Sequence, residues 1–253
     1  MNAPSAGLRS ARADLAARIG PRTTRVHLYY ADRSTLTDDV VAALVTAEDR
    51  ERLTSAMVPR RRAEYLAGRA LLRHAIAQQT GREPKSLRIL VSPAGKPDCV
   101  DGPAISLSHS GDVVVCALAD VTIGVDVETV RQRSVEGIAE RHFTPAEARW
   151  LEADPAKRFS MLWVLKEAYL KAVGLGLAGG LASLECCIEP PALAARVAAG
   201  AATPRLELFG GEGLFIGVAA LGAPAPIALA LHPFASGGSA GALRSLESIA
   251  KSE

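Results

Sequence analysis

A repeat at a fixed displacement of 98 residues is the sequence feature that most constrains the fold. Shifting the chain by this distance without gaps places Thr46 on Thr144, Tyr65 on Trp163, Leu72 on Leu170, and segment 25–32 on segment 123–130. Segments that share one displacement indicate a duplicated unit of a strand and helices. We therefore predict an α+β fold of two similar α/β halves related by a pseudo-twofold axis, with the active site in the cleft between them.

The boundary between the halves is predicted near Asp120 to Thr122. The expected organisation is a flexible N-terminal arm (1–20), an N-terminal half (21–120), a C-terminal half (121–235) and a mobile tail (236–253). The arm has no continuous apolar core, so it is not a secretory signal; it resembles a transit peptide only in composition. No segment reaches the roughly 18 apolar residues of a membrane span.

Composition and charge narrow the class of protein. A chain of 253 residues with 49% hydrophobic residues can bury a full core. The net charge of +2 without a basic block does not favour nucleic-acid binding. Four cysteines with neither a CxxC pattern nor dense spacing predict reduced thiols in a cytoplasmic protein. Because two internal halves can form a cleft without a second subunit, we expect a monomer.

Alternation and turn residues predict the remaining elements. Strands are expected at 25–32, 87–91, 105–108, 113–119, 122–128, 206–209, 214–220 and 227–231. Helical regions are expected at 37–44, after a capping Thr46, and at 65–79. The Ala- and Pro-rich segment 190–204 is interpreted as a connector.

One predicted helix, from Phe159 to Leu177, carries charged residues within an apolar pattern. Its apolar residues recur at steps of three and four, and the glycines that follow Val173 end the helix. Its charged residues include Lys166, Glu167 and Lys171. Glu167 and Lys171 lie one turn apart, so a surface ion pair is one interpretation.

The predicted strand Thr122–Val130 favours a second interpretation, in which Glu167 belongs to a cation site. Asp126 and Glu128 share one face of this strand, and their mutual repulsion requires water or a cation. A solvent-facing edge strand is the simpler interpretation. If Glu167 joins the pair, three carboxylates converge, which suits Mg²⁺ completed by water and phosphate oxygens.

Four motifs in order carry a resemblance to a known family. They are Gly95-Lys96-Pro97, Leu107 to Ser110 (LSHS), Gly124 to Glu128 (GVDVE) and Trp163 to Gly176. Over roughly residues 45 to 180 the chain closely resembles the 4′-phosphopantetheinyl transferases of the surfactin-synthetase-activating (Sfp) type. The last two motifs in that order are specific, whereas GKP or LSHS alone is weak.

The resemblance implies a reaction. Coenzyme A would donate its 4′-phosphopantetheine arm to a serine of an acyl or peptidyl carrier protein and release adenosine 3′,5′-bisphosphate, with Mg²⁺ or Mn²⁺ bound by Asp126, Glu128 and Glu167. Glu167 is either only a ligand or also the base for the carrier serine. Lys171 would neutralise a phosphate oxygen or protonate the leaving group.

Coenzyme A contacts are implied by resemblance for Arg60, Gly95, Lys96, Pro97, Ser108, His109 and Lys171. Simpler interpretations stand beside them: Lys96 as a solvent-exposed turn lysine, His109 as a turn histidine bonded to backbone, and the arginines near Arg60 as a solvated helix face. Adjacent strand residues point to opposite faces, so Ser108 and His109 are not a nucleophile–base pair. Lys166 is interpreted as facing solvent or the carrier, or as catalytic.

One departure concerns Val127, which stands where some family members have a third acidic residue and which puts the hydration of the metal in doubt. Two other functions use the same residues: a metal-dependent phosphodiesterase acting on nucleotide pyrophosphates, and a non-catalytic module that binds coenzyme A or a carrier. Carriers of fatty-acid, polyketide and peptide synthesis are not distinguished by the sequence.

Overall fold

Two β-sheets packed face to face, each covered on its outer side by one long helix, form the framework of the protein. The structure is a computed structural model, and it describes residues 24–132, 134–176, 180–211, 213–223, 227–234 and 247–252. The predicted α+β class is confirmed.

The elements follow one another along the chain as follows. The helices are α1 (Asp38–Leu44), α2 (Ala47–Glu51), α3 (Pro59–Thr80), α4 (Glu136–His142), α5 (Pro145–Leu151) and α6 (Pro155–Val173). The strands are β1 (Thr24–Asp32), β2 (Ile89–Val91), β3 (Pro97–Cys99), β4 (Ala104–Ser110), β5 (Val113–Ala119), β6 (Thr122–Thr129), β7 (Leu184–Glu189), β8 (Ala192–Val197), β9 (Pro204–Gly211), β10 (Leu214–Leu221), β11 (Ile227–Pro233) and β12 (Glu247–Lys251). Short 3₁₀ turns occupy Arg33–Thr35, Pro84–Ser86 and Leu181–Ser183.

The first sheet has the strand order β11-β1-β5-β4. Strand β1 runs parallel to β11 and antiparallel to β5. Helix α3 covers this sheet through small and branched apolar residues such as Ala70, Leu71 and Ile76, which are fully buried. Its C-terminus is set by Gly81, whose φ of 70° gives the left-handed conformation that ends many helices.

The second sheet has the order β6-β10-β9-β12-β8-β7, and α6 lies on its outer face. The helix approaches two paired strands at glycines. A Cβ atom on Gly124 would lie 1.9 Å from Ala168 O, and one on Gly217 would lie 2.4 Å from Val164 O. Only glycine therefore permits this closeness of helix backbone to strand backbone.

The inner faces of the two sheets form a third layer of core. Val26 and Leu28 of β1 and Val115 of β5 pack against Val125 of β6 and Val218 of β10. All five side chains are fully buried. The molecule therefore has four layers, helix on sheet on sheet on helix, and strands covered on both faces, such as β5 and β10, are apolar almost throughout.

The displacement of 98 residues reappears in two helix starts. Thr46 and Asp49 form a capping box at the start of α2, and Thr144 and Glu147 form one at the start of α5. Both acidic residues are buried. The division of the chain at residues 120–122 stays a prediction.

Helix α3 contains the predicted helical segment 65–79 and begins at Pro59, because proline suits the first helical position. Two expectations need correction. The predicted connector 190–204 contains β8, which pairs with β7. The predicted mobile tail contains β12, where Ala250 is buried and Ser252 Oγ accepts a hydrogen bond from Leu206 N. The predicted arm and residues 236–246 of the tail lie outside the described residues.

None of the helices that the structure describes is long and apolar enough to cross a membrane.

Replacing Gly124 with alanine tests the closeness of α6. We expect Gly124→Ala to lower the free energy of unfolding by about 3 kcal/mol or more, because the added Cβ meets backbone atoms that do not move independently. Gly137→Ala is the control: its Cβ meets no atom within 4 Å, and it should change the stability by less than about 1 kcal/mol. Urea denaturation measures both, and equal stabilities would contradict the packing.

Candidate functional site

A cavity of about 650 Å³ lies where the open edges of the two sheets meet. Its walls come from α3, the loop between β2 and β3, strands β4 and β6, and α6. The lining includes Arg61, Glu64, Tyr65, Arg69, Gly95, Pro97, Ser108, His109, Asp126, Glu128, Trp163, Glu167 and Lys171. Most of the candidate residues are therefore brought to one place, although they are spread over more than 70 positions of the chain.

Asp126 is buried within β6 and is held by two donors. Ser108 Oγ donates to its Oδ1 atom at 2.6 Å, and Lys171 Nζ contacts the same oxygen at 2.7 Å. Lys171 Nζ also donates to Val125 O at 3.1 Å. The interpretation of Asp126 as a solvent-facing residue is therefore wrong, because only 6% of this residue is exposed.

Glu128 lies two residues further along β6 and accepts a hydrogen bond from Ser110 Oγ at 3.3 Å. Val127 between them points the other way into the core between the sheets, as the alternation of the strand requires. The two carboxylates of the GVDVE motif thus line the cavity together.

Glu167 reaches the cavity from α6. Burial raises the pKa of its carboxyl, the nearby charge of Asp126 raises it further, and Lys171 opposes both. The ion pair that Lys171 makes in this structure is with Asp126 on the neighbouring strand. The surface ion pair of Glu167 with Lys171 is therefore not the arrangement that the structure shows.

Lys166 has a structural position, which corrects its interpretation as solvent-facing or carrier-facing. It is fully buried and pairs with Glu147 Oε1 at 2.8 Å. Its Nζ also donates to Leu181 O at 3.0 Å and to Leu184 O. The charge thus anchors α6 to α5 and to the start of β7.

His109 lies on β4 and contacts α3. Its Nε2 atom is 3.1 Å from Arg61 Nη1. Because a guanidinium only donates, Nε2 accepts and the imidazole is neutral. Burial lowers the pKa of His109, in agreement with a neutral imidazole. The interpretation as a turn histidine bonded to backbone is wrong, since the ring is on a strand and bonds a side chain.

The GKP loop joins β2 to β3 and contacts the end of α6. Lys96 Nζ donates to Ala172 O at 2.8 Å, in the last turn of the helix. Lys96 lines a smaller cavity of about 230 Å³ that shares Gly95, Pro97, Glu167 and Lys171 with the larger one. Lys96 is half-buried and hydrogen-bonded, so it is not a solvent-exposed turn lysine, and burial lowers the pKa of its ammonium.

Arg60 is placed differently from its neighbour. Its side chain is 65% exposed and pairs with Glu64 at 2.9 Å, outside the residues that line the cavity. Arg61 lines the cavity and contacts His109. A coenzyme A contact by Arg60 stays a prediction.

Sequence reasoning assigned no role to two aromatic residues of the cavity. Tyr65 and Trp163 line it from α3 and α6, and they are equivalent under the 98-residue displacement. Within the described chain, the buried Tyr65 hydroxyl has no hydrogen-bond partner. The spacing of Arg61, Tyr65 and Arg69 could have indicated a role for Tyr65, because residues four apart lie on one face of a helix.

The described residues contain no group of three His, Cys, Asp or Glu side chains close enough together to hold a metal ion. Asp126, Glu128 and Glu167 nevertheless line the same cavity. Their carboxylates offer oxygen ligands, which Mg²⁺ and Mn²⁺ prefer. Burial and the charge of Asp126 disfavour ionised Glu167, and a cation would relieve both effects.

The cavity combines carboxylates of β6 and α6 with the guanidinium of Arg61, the imidazole of His109 and the ammonium of Lys171, and groups of these kinds bind phosphates and their counter-cations. Two family models match the elements that build it. Residues 49–119 match the 4′-phosphopantetheinyl transferase N-terminal domain, and residues 122–209 match the 4′-phosphopantetheinyl transferase superfamily.

Curated relatives agree with these matches. The 4′-phosphopantetheinyl transferase HetI of Nostoc sp. is 34% identical over 161 residues, which cover 59% of this chain and 68% of HetI. A 4′-phosphopantetheinyl transferase of Bacillus subtilis is 32% identical, with 60% and 71% covered. The transferase Sfp of Bacillus subtilis is 31% identical, with 53% and 67% covered. The chain belongs to the 4′-phosphopantetheinyl transferase superfamily.

Among solved structures, the holo-[acyl-carrier-protein] synthase of Thermotoga maritima aligns with a TM-score of 0.35 and 23% identity, over 40% of this chain and 62% of that one. This similarity is too low to support a comparison of the two folds.

Lys166→Met tests the structural position of that lysine. We expect the free energy of unfolding to fall by about 3–5 kcal/mol, because Glu147 would keep a buried charge without its partner. Adding Glu147→Gln should restore part of the loss. Lys157→Met, at the exposed start of α6, is the matched control and should change stability by less than about 0.5 kcal/mol. A Lys166 variant as stable as the control would show that the pair contributes nothing.

Proposed function

We propose that the protein transfers the 4′-phosphopantetheine arm of coenzyme A to a serine of an apo acyl or peptidyl carrier protein and releases adenosine 3′,5′-bisphosphate. The supporting observation is that one cavity gathers residues from all four motifs of the family. Strand β4 and the GKP loop come from the N-terminal domain match, whereas β6 and α6 come from the superfamily match.

The acidic side of the cavity would hold a divalent cation. Asp126, Glu128 and Glu167 supply carboxylate oxygens, and phosphate oxygens and water would complete the coordination of Mg²⁺ or Mn²⁺. When bound, such a cation neutralises negative charge on the pyrophosphate of the substrate. Asp126 already lies beside Lys171, so the carboxylate is oriented before any ligand enters.

The basic side of the cavity would hold the nucleotide phosphates. The guanidinium of Arg61 and the ring of His109 contact each other at the cavity wall. Arg69 also lines the cavity, but its guanidinium is paired with buried Asp49. A phosphate beside Arg61 and His109 would be bound by several donors and would attract a proton to His109. Gly95, Lys96 and Pro97 are proposed to contact the adenosine end of coenzyme A.

Proton transfer would involve the two charged residues on the cavity face of α6. A raised pKa brings Glu167 closer to the range in which a carboxylate accepts a proton from an alcohol, so we assign it as the base for the carrier serine, in addition to its role as a ligand. Lys171 lines the same cavity, and its Nζ lies 2.7 Å from Asp126 Oδ1. It would stabilise the leaving phosphate.

The cellular setting follows from the same proposal. Acyl and peptidyl carrier proteins and coenzyme A are the partners, and the place of reaction is the cytoplasm. Burial raises the pKa of Cys186 to about 12 and also raises that of Cys99, so these thiols stay protonated and unreactive. We propose that a single chain is sufficient, since every residue assigned above is supplied by one copy.

The central experiment is intact-mass spectrometry of apo carrier proteins incubated with the protein, coenzyme A and Mg²⁺. We expect a gain of one phosphopantetheine arm on the carrier, and no gain when EDTA is present. Cleavage of coenzyme A without a gain by fatty-acid, polyketide or peptide carriers would indicate a phosphodiesterase. Binding without cleavage would indicate a non-catalytic module.

Two variants test the residue assignments. Asp126→Asn should abolish transfer by removing cation affinity, with Asp120→Asn in the exposed β5–β6 turn as its control.

Lys171→Ala should lower the rate constant about 100-fold while coenzyme A still binds, because the Lys171 ammonium acts mainly on charge that develops during the reaction. Lys157→Ala is its control on the same helix. Unchanged transfer in either active-site variant would contradict its assignment.

A further inference from the structure

Three serines of β4 bridge the two sheets at the cavity. Strand β4 is the edge of the first sheet and β6 is the edge of the second, so within the described residues no strand pairs with either of them on the facing side. Val125 N, Val127 N and Thr129 N of β6 donate to Ser106, Ser108 and Ser110 Oγ at 3.0, 3.4 and 3.0 Å. We call these three residues the serine ladder.

The serine ladder satisfies edge groups that would otherwise be buried without partners. All three serines are at least 94% buried, and each hydroxyl accepts the bond that a carbonyl of a neighbouring strand would accept in a sheet. Their period of two places them on the same face of β4. Leu107, between them, points the other way and packs against Gly68 of α3.

Two serines of the serine ladder also donate hydrogen bonds to the carboxylates of Asp126 and Glu128. A serine hydroxyl has one proton to donate and two lone pairs to accept with. Ser108 accepts from Val127 N and donates to Asp126 Oδ1 at 2.6 Å. Ser110 accepts from Thr129 N and donates to Glu128 Oε2 at 3.3 Å. The accepted backbone bond therefore leaves the hydroxyl proton free to be directed at the carboxylate.

We infer that Ser108 is a positioning residue that fixes the carboxylate of Asp126 for a divalent cation, with Ser110 acting in the same way on Glu128, and that Ser108 acts through Asp126 rather than by contacting coenzyme A. The inference rests on the proposed function for the presence of the cation. The bonds from Ser108 and Lys171 are both made to Oδ1 of Asp126, so we assign Oδ2 as the oxygen for the cation.

The ladder also explains why the position is a serine. Alanine would remove both bonds, and asparagine or aspartate would be too long for a side chain confined between two strand edges. The partners that orient metal-binding carboxylates typically contribute 10–100-fold in metal affinity. The bond to Asp126 is therefore expected to matter more for the cation than for folding.

Ser106→Ala and Ser108→Ala form a matched pair. Both remove one acceptor for a β6 backbone N–H, but only Ser108→Ala also removes a donor to Asp126. Their urea denaturation midpoints should fall by similar amounts. Mn²⁺ affinity, followed by the loss of the free-ion electron paramagnetic resonance signal in the presence of coenzyme A, should fall at least tenfold in Ser108→Ala and by less than twofold in Ser106→Ala. Ser108→Thr keeps the hydroxyl and should recover most of the affinity.

The outcomes separate this inference from the proposed function. Equal Mn²⁺ affinities in Ser106→Ala and Ser108→Ala, with a wild-type protein that modifies a carrier, would overturn the positioning role and leave the transferase intact. A selective loss in Ser108→Ala, with a wild-type protein that modifies no carrier, would support the positioning role and reject the transferase. A wild-type protein that binds no Mn²⁺ with coenzyme A would overturn both the inference and the cation assignment.

Discussion

The close contact of α6 with the strands beneath it is the constraint on which the site depends. Gly124 and Gly217 remove the side chains that would separate helix from sheet, and Gly217 pairs with Asp126 in the register of β6 and β10. Because the backbones of α6 and β6 are so close, side chains on the side of α6 lie next to side chains of β6. Glu167 and Lys171 can therefore meet Asp126 from a different element without long, poorly ordered side chains.

Buried charges fix the position of each long helix on its sheet. Burial disfavours the charge of Asp49, but bonds from Arg73 and Arg69 outweigh this effect and hold the pKa of that carboxyl below its usual value. Glu147 holds Lys166 in the second half. A buried pair tolerates little sliding, because any shift leaves one charge without compensation. These pairs set the register of α3 and α6, and the register determines which side chains enter the cavity.

Local patterns were sufficient for part of the site and insufficient for the rest. The period of two in GVDVE placed Asp126 and Glu128 together, and the helical period placed Glu167 one turn from Lys171. The partner of Lys166 is Glu147, which precedes it by almost twenty residues, and no local pattern distinguishes a buried lysine from an exposed one. Strand β12 is short and has no strong apolar pattern, and its place between β8 and β9 depends on pairing with residues that are distant in sequence. The bonds of Lys96 and Ser108 likewise depend on which strand edges meet, which sequence periodicity does not encode.

The two capping boxes obey the displacement of 98 residues, but this equivalence does not extend to the charged residues of the cavity. Under the displacement of 98 residues, Asp126, Glu128, Glu167 and Lys171 correspond to Leu28, Tyr30, Arg69 and Arg73. Leu28 and Tyr30 are buried between the sheets, and Arg73 turns inward to Asp49. The acidic residues of the cavity thus have no acidic counterparts under the displacement, so under the proposed function one chain would bind one equivalent of cation and one of substrate.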